Sequence, residues 1–446
     1  MSKKLCALAF VPILCAFIPV AGWSQEYTKS DRELAASMLR AADEDVRKHY
    51  YDSKLHGVDW GKRVQEARKN IESAHTMDEA VSEIAALLDS LHDSHTFLAL
   101  PPRTHIHDYG FQMEMIGDRC YVVRVRTGSD AEKKGLKQGD EIRAVNDYPV
   151  SRKNFRRLVY ILNVLRPQPE LSLALADATG AQRQLKVIPR LQLSNVNGYF
   201  LHQGINVRVR DADAESRILQ ARYFQKGDDL LVIKIPEFAF SAQEVDSILG
   251  KMRAHRGVVL DLRGNPGGYA DTLERFLGGL FQNDLKILDR VSRSGTKSMT
   301  VNGRHRVAFT GRFAVLIDSE SASASEILAR VVQLERRGFI VGDRSSGAVM
   351  EARFYPHEAT LDSEVSFGIL VTDADLLMTD GKSLEHIGVE PDILVLPTAQ
   401  DLVNKRDPAL SKAAGLVGAQ LSPEEAGTIL PSIESSQFQT TLSLND

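Results

Sequence analysis

The chain has 446 residues, a formal net charge of -4, and 43% hydrophobic and 26% charged side chains. This is ordinary globular composition, enough for about two or three domains with buried cores. It excludes a polyelectrolyte that holds nucleic acid by excess basic charge, and it excludes a chain too polar to fold.

Lys3 and Lys4 precede an apolar run from Leu5 to Val20, and Ala21-Gly22-Trp23-Ser24 offers small residues for cleavage after Ser24. Residues 1–24 therefore read as a signal peptide, and the chain as exported, periplasmic or secreted. The run is short for a membrane span, so membrane contact is expected only in transit, with a retained anchor as the alternative. Cys6 and Cys15 lie in this leader. Cys120 is left without a partner for a disulfide and reads as a buried structural thiol. No Cys/His metal-ligand spacing and no phosphate-binding glycine loop is present, so no metal and no organic cofactor is expected.

Residues 25–103 predict a helical domain. Leu34, Met38 and Leu39, then Ile84, Leu87, Leu88 and Leu91, recur at three- and four-residue spacing, and Pro101-Pro102 closes the region. Residues 104–190 predict a β-rich domain. Phe111–Ile116 and Tyr121–Val125 alternate as strands. A run from Ser129 to Asn146 places Gly135-Leu136 after a short helix and Gly139-Asp140 before a strand through Ile142 and Val145. This run resembles a PDZ domain, and the resemblance implies capture of an extended peptide, usually a free C-terminus, as an added strand.

Residues 191–400 alternate strands and helices. Leu230–Ile235, Val258–Leu262, Phe313–Ile317 and Phe339–Val341 read as buried strands of an α/β core. The overall fold class is thus a multi-domain α+β chain built around that core. Residues 401–446 read as a helical, polar tail whose last fifteen residues are disordered.

One turn carries the chemistry. Ser321-Ala322-Ser323-Ala324-Ser325-Glu326 follows the strand Phe313–Ile317 and opens a helix, the setting that presents a serine hydroxyl beside free N–H groups and the positive end of a helix dipole. A capping role would explain the serines equally well. Asp261-Leu262-Arg263-Gly264-Asn265-Pro266-Gly267-Gly268 is a second strand-to-helix turn, with glycines that let an N–H point into a cleft. Together the two turns resemble the tail-specific, or C-terminal processing, serine peptidases and their tricorn relatives. The resemblance implies a core of the ClpP/crotonase type, Ser323 as nucleophile, and an oxyanion hole from Gly267 or Gly268 with Ala324.

The processing branch places a lysine base after a glycine downstream of Val341-Gly342-Asp343. Here the residue after Gly347 is Ala348, and Arg344 stays protonated, so a serine–lysine dyad is not expected. Asp93-Ser94-His95-Thr96 resembles the histidine element of the tricorn branch, which makes His95 the base and Ser94 its neighbour, with His92 as the competing imidazole. Gly388-Val389-Glu390-Pro391-Asp392 is similar to a signature near the end of that core. The glutamate three residues before it, Glu385, would complete a Ser-His-Ser-Glu tetrad. Asp261 and Arg263 are expected to shape the glycine turn through an ion pair, Glu326 to favour the helix start, and Glu390 and Asp392 to hold turns.

What the resemblance implies is an exported serine endopeptidase acting on polypeptides through an acyl-enzyme. The β-rich domain would hold substrate ends, and no nucleic-acid partner is expected. The alternatives are an inactive PDZ-bearing binding protein and a hydrolase of other acyl substrates.

Overall fold

The computed structural model describes residues 27–100, 105–193, 220–360 and 364–429. The expected leader and the last fifteen residues lie outside them, as does Pro101-Pro102.

Three helices open the chain. Lys29–His49 starts at a capping box in which Thr28 Oγ1 accepts from Asp31 N (3.1 Å) and Asp31 accepts from Thr28 N (2.9 Å). Trp60–Ser73 and Met77–Asp89 follow, the latter capped by Thr76. Their apolar stripes meet around Met38, Val46, Ile71, Ile84 and Leu88. This helical region is not closed on itself. Its core continues into Phe367, Ile369 and Val371 of the later chain, and strand Phe97–Ala99 pairs antiparallel with residues 368–370. The helices are thereby tied to the core just after His95.

Residues 105–193 form a β-rich unit. Strands Phe111–Ile116, Arg119–Val125, Glu141–Val145, Leu171–Ala176 and Gln182–Val187 make an antiparallel sheet. The short helix Asp130–Lys133 ends at Gly135, whose φ of 83° is the left-handed conformation that glycine permits. Helix Phe155–Tyr160, unanticipated from sequence, packs Phe155, Leu158 and Val159 into this unit's core. Cys120 is buried there, and burial pushes its thiol pKa up.

The α/β core is a sheet in the order 222–226, 230–234, 257–261, 312–317, 339–342 and 393–394, parallel except at its first pair. Both faces are covered, which is why its strands read as continuous apolar runs. Leu231, Ile233, Val258, Leu260, Phe313 and Val315 face helices Ala242–Arg253, Ala270–Gly278 and Ala324–Leu334. Leu230, Val232, Val259, Ala314 and Leu316 face helix Pro408–Leu416 through Ala409, Leu410, Ala413 and Ala414.

Two expectations are corrected here. The segment after residue 400 is not simply a polar tail, because Pro408–Leu416 closes the sheet's second face. Burying a side chain such as Leu410 there is worth roughly 1.5–3 kcal/mol. The core also holds a second, antiparallel sheet, formed by Phe97–Ala99, Leu285–Ser292, Gly295–Val301, Met350–Thr360 and Glu364–Met378. Its strands between Leu285 and Met378 fall where an alternation of strands and helices is expected, and Phe97–Ala99 falls where a helical domain is expected.

Candidate active site

The serine turn lies at the carboxyl end of the core sheet. Asp318 Oδ1 organises it by accepting from Gly264 N (2.9 Å), Glu320 N (3.0 Å) and Ser321 N (2.9 Å). Ser321 Oγ donates to Leu262 O (2.9 Å) and Ser325 Oγ to Asn265 O (3.1 Å), and both serines are fully buried. These two therefore stitch the serine turn to the glycine turn. Ser323 between them keeps partial exposure. Its φ of 55° and ψ of -117° are a conformation that non-glycine residues hold only under constraint. The constraint is visible: Ser323 N donates to Ala348 O (2.9 Å) and to Glu326 Oε2 (3.1 Å).

The glycine turn abuts this serine. A Cβ on Gly267 would lie 2.6 Å from Ser323 Cβ and 3.1 Å from Ala324 N, and one on Gly268 would lie 2.4 Å from Phe238 O. Only glycine fits at either position, where φ is 109° and 139°. Gly267 N donates to Asn265 Oδ1 (2.8 Å), so that N–H is already committed. Among the described residues, the N–H groups of Gly268 and Ala324 carry no hydrogen bond. Ala324 is the first residue of its helix, where an N–H has no intrahelical partner.

On the facing side, Ser94 Oγ donates to Glu385 Oε2 (2.9 Å) and lies 2.7 Å from His95 Nδ1, while Ser94 N donates to Glu385 Oε1 (2.8 Å). A hydroxyl that gives its proton to Glu385 can only accept from Nδ1–H. This order leaves Nε2 of a neutral His95 with its lone pair free. Asp93 shapes the turn by accepting from His95 N (2.7 Å), Thr96 N (3.0 Å) and Thr372 Oγ1 (2.7 Å). Burial, and then the nearby Arg156 charge, pushes the pKa of His95 down to about 3. Glu385 is raised by burial and by Asp93, against the pull of His386 and its hydrogen-bond donors.

Val349 joins the two sides. Its N–H donates to Glu385 Oε2 (2.9 Å), one residue beyond the Ala348 carbonyl that holds Ser323. His95, Ser94 and Glu385 thus form one hydrogen-bonded chain that reaches the Ser323 backbone through Ala348–Val349. No hydrogen bond joins Ser323 to His95 among the described residues. His92 stays outside the chain: its side chain is exposed and its carbonyl accepts from His386 Nε2 (2.7 Å).

Asp261 and Arg263 make the anticipated ion pair (2.9 Å), extended by Asp407 (2.8 Å) and Lys234 (3.2 Å). Asp392 accepts from Ile340 N (2.8 Å) and Gln333 Nε2 (3.0 Å), and Glu390 lies 3.5 Å from Arg344. Glu326 stands at the helix start as expected but does more there, and Arg156 was missed in the sequence. Glu326, read as a helix-start acid, has 0% exposure and binds the loop before Val349. Arg156, carried by the β-rich unit, places its charge near His95, Glu326 and Glu385. The Ser-x-x-Glu spacing was a legible sign of the first; nothing local signalled the second.

Residues 229–395 match the model described as Peptidase family S41. The matched stretch is the α/β core together with most of the antiparallel sheet beside it. Carboxy-terminal processing protease CtpB of Bacillus subtilis is 25% identical over 64% of this chain and 54% of its own length. Carboxyl-terminal-processing peptidase 3, chloroplastic, of Arabidopsis thaliana is 24% identical over 78% and 66%. The chain therefore spans between about half and two thirds of these relatives. The solved structure of mature CPAF superposes with a TM-score of 0.61, at 16% identity, over 84% of this chain and 94% of that one. That likeness is one of fold, and it takes in both sides of the site. Among the described residues, no group of acidic, histidine or cysteine side chains is arranged to hold a metal ion, and no helix is long and apolar enough to cross a membrane.

Proposed function

We propose that this chain is an exported serine endopeptidase that cleaves polypeptides through an acyl-enzyme. The observation that carries the reading is the hydrogen-bonded chain Glu385–Ser94–His95, tied through Val349 and Ala348 to the strained Ser323 turn. Ser323 Oγ attacks the peptide carbonyl. His95 Nε2 takes the hydroxyl proton and returns it to the leaving amine, while Ser94 and Glu385 hold the imidazole tautomer. Gly268 N–H and Ala324 N–H receive the oxyanion. The commitment of Gly267 N–H to Asn265 favours Gly268 over its neighbour. Water activated by His95 releases the acyl group.

The reading requires Ser323 Oγ to come within hydrogen-bond reach of His95 Nε2 when substrate binds. Such contacts are often loose in free enzymes and tighten in the complex. The β-rich unit acts in this scheme as a PDZ domain. Its groove between strand Phe111–Ile116 and helix Phe155–Tyr160, lined by Phe111, Met113, Val159, Leu162 and Leu171, takes a substrate terminus. Export follows from the leader expected at residues 1–24.

Fluorophosphonate labelling of the purified chain, followed by peptide-library cleavage, tests this. Labelling of wild type that Ser323→Ala and His95→Ala abolish, with cleavage lost in parallel, is the expected result. A wild-type chain that binds peptides but takes no label would identify a binding protein instead. Labelling without peptide cleavage would point to another acyl substrate.

A further inference from the structure

Glu326 does more than cap a helix. Its carboxylate accepts four hydrogen bonds: from Ser323 N (3.1 Å), Ser345 Oγ (2.5 Å), Gly347 N (2.8 Å) and Ala348 N (2.9 Å). Ser345 Oγ in turn accepts from Val389 N (2.6 Å). One buried side chain thus fastens the serine turn to the loop 345–348, whose next residue reaches Glu385.

We infer that Glu326 is a positioning residue that holds Ser323 in register with the Glu385–Ser94–His95 chain only while its carboxylate is ionised. This rests on the nucleophile assignment proposed above. The reason is a count of sites. A carboxylate offers about four lone-pair positions, and here each meets a donor. A proton on either oxygen puts an O–H against an N–H or O–H that already points inward. At least one of the four bonds must then break or, at Ser345, reverse and turn its hydroxyl proton away from the carboxyl, and each of them restrains either Ser323 or the loop that carries Ala348 and Val349.

The surrounding charges do not hold the proton off firmly. Arg156 is the cation that faces Glu326, and it is shared with Glu385. On the adjoining loop, Asp343 is paired with Arg152, and Arg344 with Glu390 at 3.5 Å. On the segment beyond, Glu385 bonds Ser94 and Val349, and His386 bonds His92 O. Burial, opposed by the four hydrogen bonds, pushes Glu326 up to about 7. His95 lies far below, at about 3. Loss of reactivity on acidification near neutrality therefore reports Glu326 and not the imidazole.

The test uses the full chain in two measurements between about pH 5 and 9. The first is the fluorophosphonate labelling rate of wild type, Ser345→Ala and Glu326→Gln. Wild type should lose reactivity with a midpoint near 7. Ser345→Ala removes a bond that favours the charged form, so its midpoint should rise by roughly one unit. Glu326→Gln should be slower by about tenfold or more and flat across the range. The second is the amide NMR shifts of Gly347 and Ala348, which need no catalysis. They should titrate together with the labelling midpoint in wild type and not titrate in Glu326→Gln. Amides that do not titrate in wild type, or a labelling midpoint near 7 that survives in Glu326→Gln, would overturn the inference. A wild type that takes no label but whose amides titrate as described would overturn the nucleophile assignment and leave the role of Glu326 standing. Should Glu326→Gln fail to fold, wild type and Ser345→Ala still decide the matter through the amides.

Discussion

Two buried carboxylates flank the site, and their surroundings send them in opposite directions. Asp261 accepts from Lys234 Nζ (3.2 Å) and from three nitrogens of Arg263 at 2.9–3.0 Å. Glu326 accepts an equal number, none from a charged group. Burial raises both. At Asp261 the Arg263 and Lys234 charges outweigh it and hold the carboxyl well below its usual range; at Glu326 burial wins. The number of hydrogen bonds is thus a poor guide to protonation, and the charge of the donors decides it. Asp261 is locked as a structural ion beneath the glycine turn. Glu326 is poised to change state beneath the serine turn.

Removing the cation should break that contrast most severely. Arg263→Ala leaves Asp261 buried with Lys234 and the more distant Arg222 charge, and takes the partner from half-buried Asp407; breaking such a group costs about 3–5 kcal/mol. Denaturant unfolding of the variant should show this loss at neutral pH. A change below about 1 kcal/mol would mean that water replaces the guanidinium freely.

The Glu326 side of the comparison is sharpened by pH. Its folded pKa, about 7, stands above its ordinary value of 4.5, so the folded chain holds the proton where the unfolded chain has released it. The stability this contributes is fully present below pH 4.5 and is lost as pH rises through about 7, after which it changes no further. The displacement corresponds to roughly 3 kcal/mol. The difference in unfolding free energy between wild type and Glu326→Gln should therefore shift in favour of the glutamine variant as pH rises from about 5 to 8. A difference independent of pH would show that Glu326 stays ionised throughout. On this account, the charged form that serves the site is the one that strains the fold.

A smaller effect tests the facing side. Ser94→Ala should leave folding intact and slow Ser323 labelling by about ten- to a hundredfold. It removes the link that orients the imidazole, while the nucleophile and the oxyanion donors remain. Unchanged labelling would detach Ser94 from the mechanism and leave it as part of the Asp93 turn.

The sequence carried the strands of the core because both faces of that sheet are apolar, so Leu230–Ile235 and Phe313–Ile317 read as unbroken runs. It carried Ser323, Ser94, His95 and Glu385 as candidates because each sits in a short motif that resembles a known pattern. It did not carry the second sheet, whose strands Leu285–Ser292 and Gly295–Val301 are half-exposed and mix charged with apolar residues, without the period that marks a buried strand. Helix Pro408–Leu416 was misread for a related reason. Its buried face is made largely of alanines, which pack against a sheet without the bulky stripe that periodicity detects. The role of Glu326 was hidden because three of its four donors lie some twenty residues downstream, and long-range hydrogen bonding leaves no mark on local composition.

The smallest expected effect concerns how the β-rich unit is held, and it repeats the opening contrast at the surface. Arg152 meets Asp343 in a nearly buried pair and also donates to Arg344 O (2.9 Å) and Gly117 O (2.9 Å), at the start of the loop that Glu326 binds. Arg157 meets Asp89 at 3.0 Å, with side chains 55% and 50% exposed. Exposed pairs of this kind are worth about 0–1 kcal/mol and fade with salt, because water screens the charges and ordering two long side chains opposes the gain. Arg157→Ala should therefore change stability by no more than about 0.5 kcal/mol, with labelling of Ser323 unaltered. Arg152→Ala should cost several times more, because it strands Asp343 beneath the loop. If the two variants prove equal, the β-rich unit is held mainly by apolar packing, and its hold on the serine turn does not depend on the Arg152 pair.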